Sequence, residues 1–166
     1  MIFWLGVFLA IHVWRIVEIV AERRQVKFTE EEQELYATVF RGFEPIEFMR
    51  LLNAADRSAF APGEVLLEQG QIAPRLFIVI DGEARIERDG AVIAAVGPGG
   101  ALGEISFMQD RPTTARAVAA TPMRCLAFPV PKLRRVLANR PAMRLSMSAL
   151  LSGDLARKLT GNPSAT

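Results

Sequence analysis

Hydrophobic and polar positions change their period three times along this chain. The first stretch is apolar on every side: Met1–Ala10 is almost wholly hydrophobic, and Ile11, Val13, Trp14, Ile16, Val17, Ile19 and Val20 extend it past His12, Arg15 and Glu18. As a helix, Met1–Val20 would be about 30 Å long, enough to cross a bilayer. Arg23, Arg24 and Lys27 follow, and by the positive-inside rule they place the rest of the chain in the cytoplasm. No basic segment precedes the run and no small-residue cleavage site closes it, so a cleaved leader is not expected. The alternative is an oligomerisation helix. Arg15 and Glu18, three residues apart, would then pair on one face of it while the apolar face packs on a second copy.

From residue 25 to 55 the spacing is three and four. Thr29 and Glu32 form a capping box, which opens a helix carrying Leu35, Tyr36, Val39 and Phe40 on one face and closing at Gly42. Pro45 suits the first turn of a second helix with Ile46, Phe48, Met49, Leu51 and Leu52, and polar residues near Asn53 and Asp56 close it. Between 56 and 130 the period drops to that of short strands, divided by Pro62-Gly63, Gly70, Asp81-Gly82, Asp89-Gly90 and Gly97–Gly100. Asp89-Gly90 between two strand-like runs predicts a hairpin, because its turn needs residues that tolerate positive φ. Residues 131–160 return to helix through Leu133, Val136 and Leu137, then Met143, Met147, Leu150, Leu151 and Leu155, with 161–166 as a tail. The fold predicted is mainly β with flanking helices, an antiparallel sandwich or barrel in the middle of the chain.

Composition narrows the chemistry. With 51% hydrophobic and 23% charged residues, the chain suits a packed core. The net charge is +2 and nearly all the positive charge is arginine, since Lys27, Lys132 and Lys158 are the only lysines, and it forms no dense basic stripe of the kind that binds nucleic acid. One cysteine, Cys125, excludes an intrachain disulfide and a multi-cysteine zinc site. One histidine, His12, lies in the apolar run far from any nucleophile elbow, so the common hydrolase constellations have no histidine to use. No catalytic residue and no metal ligand is expected, and the chain reads as a binder with no resident cofactor.

One segment exceeds what a generic β-barrel needs. Gly97-Pro98-Gly99-Gly100-Ala101-Leu102-Gly103 leads straight into Glu104-Ile105-Ser106-Phe107-Met108, a short helix-like run that returns to strand at Arg116–Ala119. Glycines let the backbone approach a ligand, and the free amides at a helix start attract an anion. Glu104 at that turn can accept hydrogen bonds from sugar hydroxyls.

In that setting the chain from about Phe40 to Leu159 resembles the cyclic-nucleotide-binding domain family. The likeness runs in order through Phe40–Phe43, Phe60–Gly70, Leu76–Gly82, the cassette Gly103–Met108, Pro112 and the step Thr114-Ala115. It implies an eight-stranded, jelly-roll-like β-roll whose last helix is a movable lid. It also implies that Glu104 holds the ribose 2′-hydroxyl, that the Ile105 and Ser106 amides face the cyclic phosphate, and that Thr114 contacts phosphate or base. Gly82 and Gly103 match the two structural glycines. Thr113 stands where the family carries an arginine that grips the phosphate, and a hydroxyl cannot replace a charge-assisted fork. Strand parity points Arg116 away from the cavity and gives Arg111 the parity of 113, so Arg111 is expected to fold inward and compensate. The apolar start, basic patch and Leu35–Phe40 also resemble the membrane-anchored Popeye family, which implies cAMP binding.

The expected function is a membrane-associated sensor of cAMP or cGMP. The alternative is a ligand-free β-roll that serves as an oligomerisation or interaction module. A catabolite-activator-type regulator carries a helix-turn-helix after its long C-terminal helix, and with few residues past Leu159 no nucleic-acid partner is expected.

Overall fold

The computed structural model describes residues 28–159. The apolar run 1–20, the basic cluster and the tail past Leu159 lie outside them. Two helices, α1 (Glu30–Thr38) and α2 (Pro45–Ala54), lead into eight strands. The strands are β1 (Asp56–Phe60), β2 (Val65–Leu67), β3 (Arg75–Asp81), β4 (Ala84–Arg88), β5 (Ala91–Val96), β6 (Ala101–Leu102), β7 (Arg116–Ala119) and β8 (Met123–Pro129). Helix α3 (Glu104–Gln109) separates β6 from β7, while α4 (Val130–Ala138) and α5 (Pro141–Leu159) follow β8.

Local chemistry accounts for the entry. The Thr29 hydroxyl accepts from the Glu32 amide at 3.3 Å, and the Glu32 carboxylate accepts from the Thr29 amide at 3.0 Å, which completes the capping box. Helix α1 stops at Thr38, earlier than the sequence pattern predicts, because the chain turns there to bury Phe40 and Phe43. Glu31 joins this entry to the roll through Arg57 and Arg124. Partial burial acts to raise its carboxyl pKa, but the hydrogen bonds and charges of the two arginines outweigh that and hold it below the ordinary value.

The strands form two antiparallel four-stranded sheets, ordered β1-β8-β3-β6 and β2-β7-β4-β5, which is the β-roll. Strands β3 and β8 lie inside the first sheet and are covered on both faces. Leu76, Ile78, Leu126 and Phe128 pack toward Phe48, Leu133 and Met147 on the helical side. Phe77, Val79, Cys125 and Ala127 pack between the sheets with Leu102 and Ala117. That is why these strands read as continuous apolar runs, although alternate side chains serve different cores. Burial pushes the Cys125 thiol up to about 12, so it is an inert core residue at neutral pH.

Two strands were not legible. Strand β1 falls where the sequence pattern predicts the close of a helix, because it is an edge strand with mostly solvated side chains and pairs only with β8. Strand β6 has two residues and hides inside the glycine-rich run. Asp89 and Gly90 both take positive φ, +52° and +83°, as the hairpin requires.

Candidate functional site

The glycine-rich turn is tied to β3, with Gly99 donating to the Val79 carbonyl and Val79 to the Gly100 carbonyl, both at 2.9 Å. The chain then makes β6 and reaches Gly103, which caps α3 in the left-handed region at φ +87°. A Cβ there would sit 3.1 Å from the Arg75 carbonyl and 3.2 Å from Leu67, so glycine lets α3 start close against β2 and β3. Phe107 makes an early helical bond, its amide donating to the Gly103 carbonyl at 2.9 Å. The amides of Glu104, Ile105 and Ser106 precede it and have no acceptor within a helical ladder.

Those residues border a cavity of about 320 Å³, shared by Gly103, Glu104, Ile105, Ser106, Thr113 and Thr114. The fold thus gathers into one wall all the candidate ligand-binding residues except Arg111. A larger open groove of about 1290 Å³ beside α1 and α5 contains none of them.

Glu104 is only 6% exposed. Its Oε1 is met by Lys158 Nζ at 2.7 Å, reaching down from α5. The same ammonium pairs with Asp154 Oδ2 at 2.9 Å and donates to the Ala101 carbonyl. Asp154 Oδ2 also accepts from the Ala101 amide at 3.1 Å, which fixes α5 to β6. The carboxylate expected to take a sugar hydroxyl is therefore capped by the chain's own last helix.

The other side chains have clear tasks. Ser106 Oγ accepts from the Ala73 amide at 3.0 Å, which leaves its backbone amide as the part open to a ligand. Thr113 is buried, and its hydroxyl donates to the Glu68 carbonyl. Its amide donates to the Gln71 carbonyl at 2.9 Å and its carbonyl accepts from the Gly70 amide at 2.8 Å. Thr113 thus fastens the β2–β3 loop to the cassette exit and brings no charge to the cavity. Arg116 stays outside the cavity wall, ion-paired with Glu68 at 3.2 Å and Glu87 at 3.6 Å.

Arg111 departs from expectation. It is exposed, lies outside the cavity wall, and makes no hydrogen bond or ion pair among the described residues. The neighbouring turn is pinned outside instead: Asp110 ends α3 at φ +52° and pairs with Arg134, which also donates to the Phe107 carbonyl at 2.9 Å. Nothing draws the Arg111 guanidinium inward.

The sequence reading missed Arg88 and Lys158, both of which line the cavity. Arg88 shares the inward parity of Ala84 and Ile86 on β4, a usable signal. Lys158 stands four residues after Asp154 on α5, but nothing in that spacing names Glu104 as its second partner. Among the described residues no His, Cys, Asp and Glu cluster could hold a metal ion, and no helix is long and apolar enough to cross a membrane.

Comparison with known proteins gives this geometry its relatives. The cyclic nucleotide-binding domain profile matches residues 57–140. Over 126 residues the chain is 29% identical to the CRP-like cAMP-activated global transcriptional regulator of Mycobacterium tuberculosis, a match covering 73% of this chain and 56% of that protein. The chain thus spans about half the length of the curated relatives it matches. Among solved structures, the catabolite activator protein of Thermus thermophilus superposes with a TM-score of 0.62 at 26% identity, covering 74% of this chain and 60% of that one. The N-terminal domain of a transcriptional regulator from Streptomyces coelicolor superposes at 0.59 and 25% identity, covering 77% and 95%. These matches are regulators, and they give no support to the narrower Popeye likeness. They also weaken one of the two grounds for expecting no nucleic-acid partner, the few residues past Leu159, because the likeness itself spans only part of the regulators.

Proposed function

The chain belongs to the cyclic nucleotide-binding domain family, and from that premise we propose that it is a regulatory sensor which binds cAMP or cGMP and catalyses no reaction. The observation that carries this reading is the single wall formed by buried Glu104 and the unpaired amides of α3 beside a cavity of about 320 Å³. In it the Ile105 and Ser106 amides receive the cyclic phosphate, Glu104 receives the ribose hydroxyl, and Thr114 lies beside the phosphate or base. A sugar hydroxyl that takes Glu104 Oε1 displaces Lys158, so binding loosens the end of α5, and that release is the signal. We extend the proposal to a membrane tether through residues 1–20, on their apolar pattern alone, with the binding domain on the cytoplasmic side. The full chain should sediment with membranes and stay there after alkaline carbonate, while a chain starting at residue 25 should not. Carbonate release of the full chain would remove the tether.

The direct test of binding is melting temperature. A ligand at a hundred times its Kd stabilises the native state by about 2.7 kcal/mol. Millimolar cAMP or cGMP should therefore raise the melting temperature by several degrees, and Glu104→Gln should reduce the rise. No rise with either nucleotide would favour a ligand-free β-roll acting as an interaction module. Two observations give that second reading substance: the Thr113 hydroxyl is engaged by Glu68, and Lys158 already occupies Glu104.

A further inference from the structure

The cavity lacks the family's phosphate arginine at Thr113, and Arg111 is outside, yet the wall is not without charge. Two cations line it, Arg88 and Lys158. Lys158 is engaged by Glu104, Asp154 and the Ala101 carbonyl. Arg88 is differently placed. It ends β4 one residue before the Asp89-Gly90 turn, with the inward parity of Ala84 and Ile86, and Ile86 lines the same cavity. Neighbouring Glu87 faces the other way and pairs with Arg85 and Arg116. Asp89 is held by Gln69, through its carboxylate at 2.8 Å and its amide at 3.1 Å. No carboxylate among the described residues pairs with Arg88. Its Nε donates to the Thr114 carbonyl at 3.3 Å, which holds the guanidinium beside the loop that carries Thr113 and Thr114 into β7. That bond uses one of five N–H groups and leaves the two terminal nitrogens free to fork onto a pair of oxygens.

We infer that Arg88 supplies the cationic grip on the anionic group of the ligand, from β4 across the cavity mouth, in place of the residue lost at 113. The inference rests on the proposed function for the identity of the ligand, but the anion contact belongs to Arg88 whichever phosphate-bearing molecule enters. A single guanidinium without a counter-ion matches the single negative charge of a phosphodiester.

The test is isothermal titration of the full chain with cAMP and cGMP, with adenosine and guanosine as ligands of the same base and sugar that lack phosphate. Arg88→Ala should weaken cyclic nucleotide binding by about tenfold to a hundredfold, the range of one or more charge-assisted hydrogen bonds. Arg88→Lys should fall between, because it keeps the charge and loses the fork. Arg111→Ala should bind like the parent, and Arg88→Ala should bind the nucleosides like the parent. Equal cyclic nucleotide affinity in the Arg88→Ala and parent chains, or equal losses for nucleotide and nucleoside, would overturn the inference. If the parent binds neither nucleotide, the proposed function fails, and inorganic phosphate becomes the probe. A phosphate-dependent shift of the Arg88 Nε–Hε resonance then sustains the anion site, and its absence at millimolar phosphate overturns it.

Discussion

Gly82→Ala should lower the melting temperature of this protein by about 5–20 °C, the largest effect expected of any substitution that adds one methyl group. Gly82 leaves β3 at φ +82°, with its amide donating to the Asp81 carboxylate at 2.9 Å. A Cβ at this position would lie 2.3 Å from the Pro122 carbonyl oxygen, 2.6 Å from Met123 Cβ and 2.7 Å from Met123 Cα. None of these is the end of a flexible side chain. Met123 is 2% exposed and starts β8, which pairs with β3, so neither side of the contact can yield without moving the first sheet. The left-handed conformation costs alanine about 1–2 kcal/mol. Overpacking adds about 1–3 kcal/mol. Gly63→Ala is the matched control: φ is +90°, but nothing lies within 4 Å of the added atom, so only the conformational cost remains. Thermal melts of the two variants should differ clearly. Equal losses would show that the approach of the β3–β4 turn to Met123 does not hold in solution.

Lys158→Met should be nearly as damaging, but locally. The substitution keeps an unbranched stem and removes the ammonium that meets Glu104 and Asp154, whose side chains are 8% and 5% exposed. Breaking a buried ion pair from one side costs about 3–5 kcal/mol, since the remaining charge is left without its partner. The loss should appear as a lower melting temperature and as faster hydrogen exchange at the end of α5 and at the Ala101 amide, which Asp154 holds. Adding Glu104→Gln should restore part of the stability, because an uncharged amide no longer needs the lysine. The double-mutant cycle should therefore show coupling between positions 104 and 158. Simple additivity, or a Lys158→Met chain as stable as its parent, would mean that α5 does not cap Glu104. The pair links stability to sensing, since the contact that holds the helix down is also the one a sugar hydroxyl would replace.

The sites of these two predictions differ in how far the sequence discloses them. Gly82 stands out as a turn glycine after the run Leu76–Ile80, and the family likeness already marks it as structural. Its reason, the backbone of β8 pressing on it, appears only when residues 82 and 123 meet. Glu104 and the cassette amides are equally legible, because glycine freedom and a helix start are local properties. Lys158 is not. It is one of three lysines in the chain, and its meeting with Glu104 spans 54 residues.

The sequence by itself determined the alternation of helix and strand, the capping box at Thr29, the Asp89-Gly90 hairpin and the place of the cassette. Each follows from propensities and periods that act within a few residues. It also determined that the position after Pro112 carries no charge. What only the tertiary structure decided is how that gap is arranged. Thr113 turns to the Glu68 carbonyl, Arg111 stays in solvent, Arg88 comes to the cavity from the neighbouring strand, and Lys158 covers Glu104 from the last helix. The physical reason is common to all four. A strand or helix period tells which face a side chain leaves by, whereas charge partners depend on sheet order and helix docking, which bring distant stretches of the chain together.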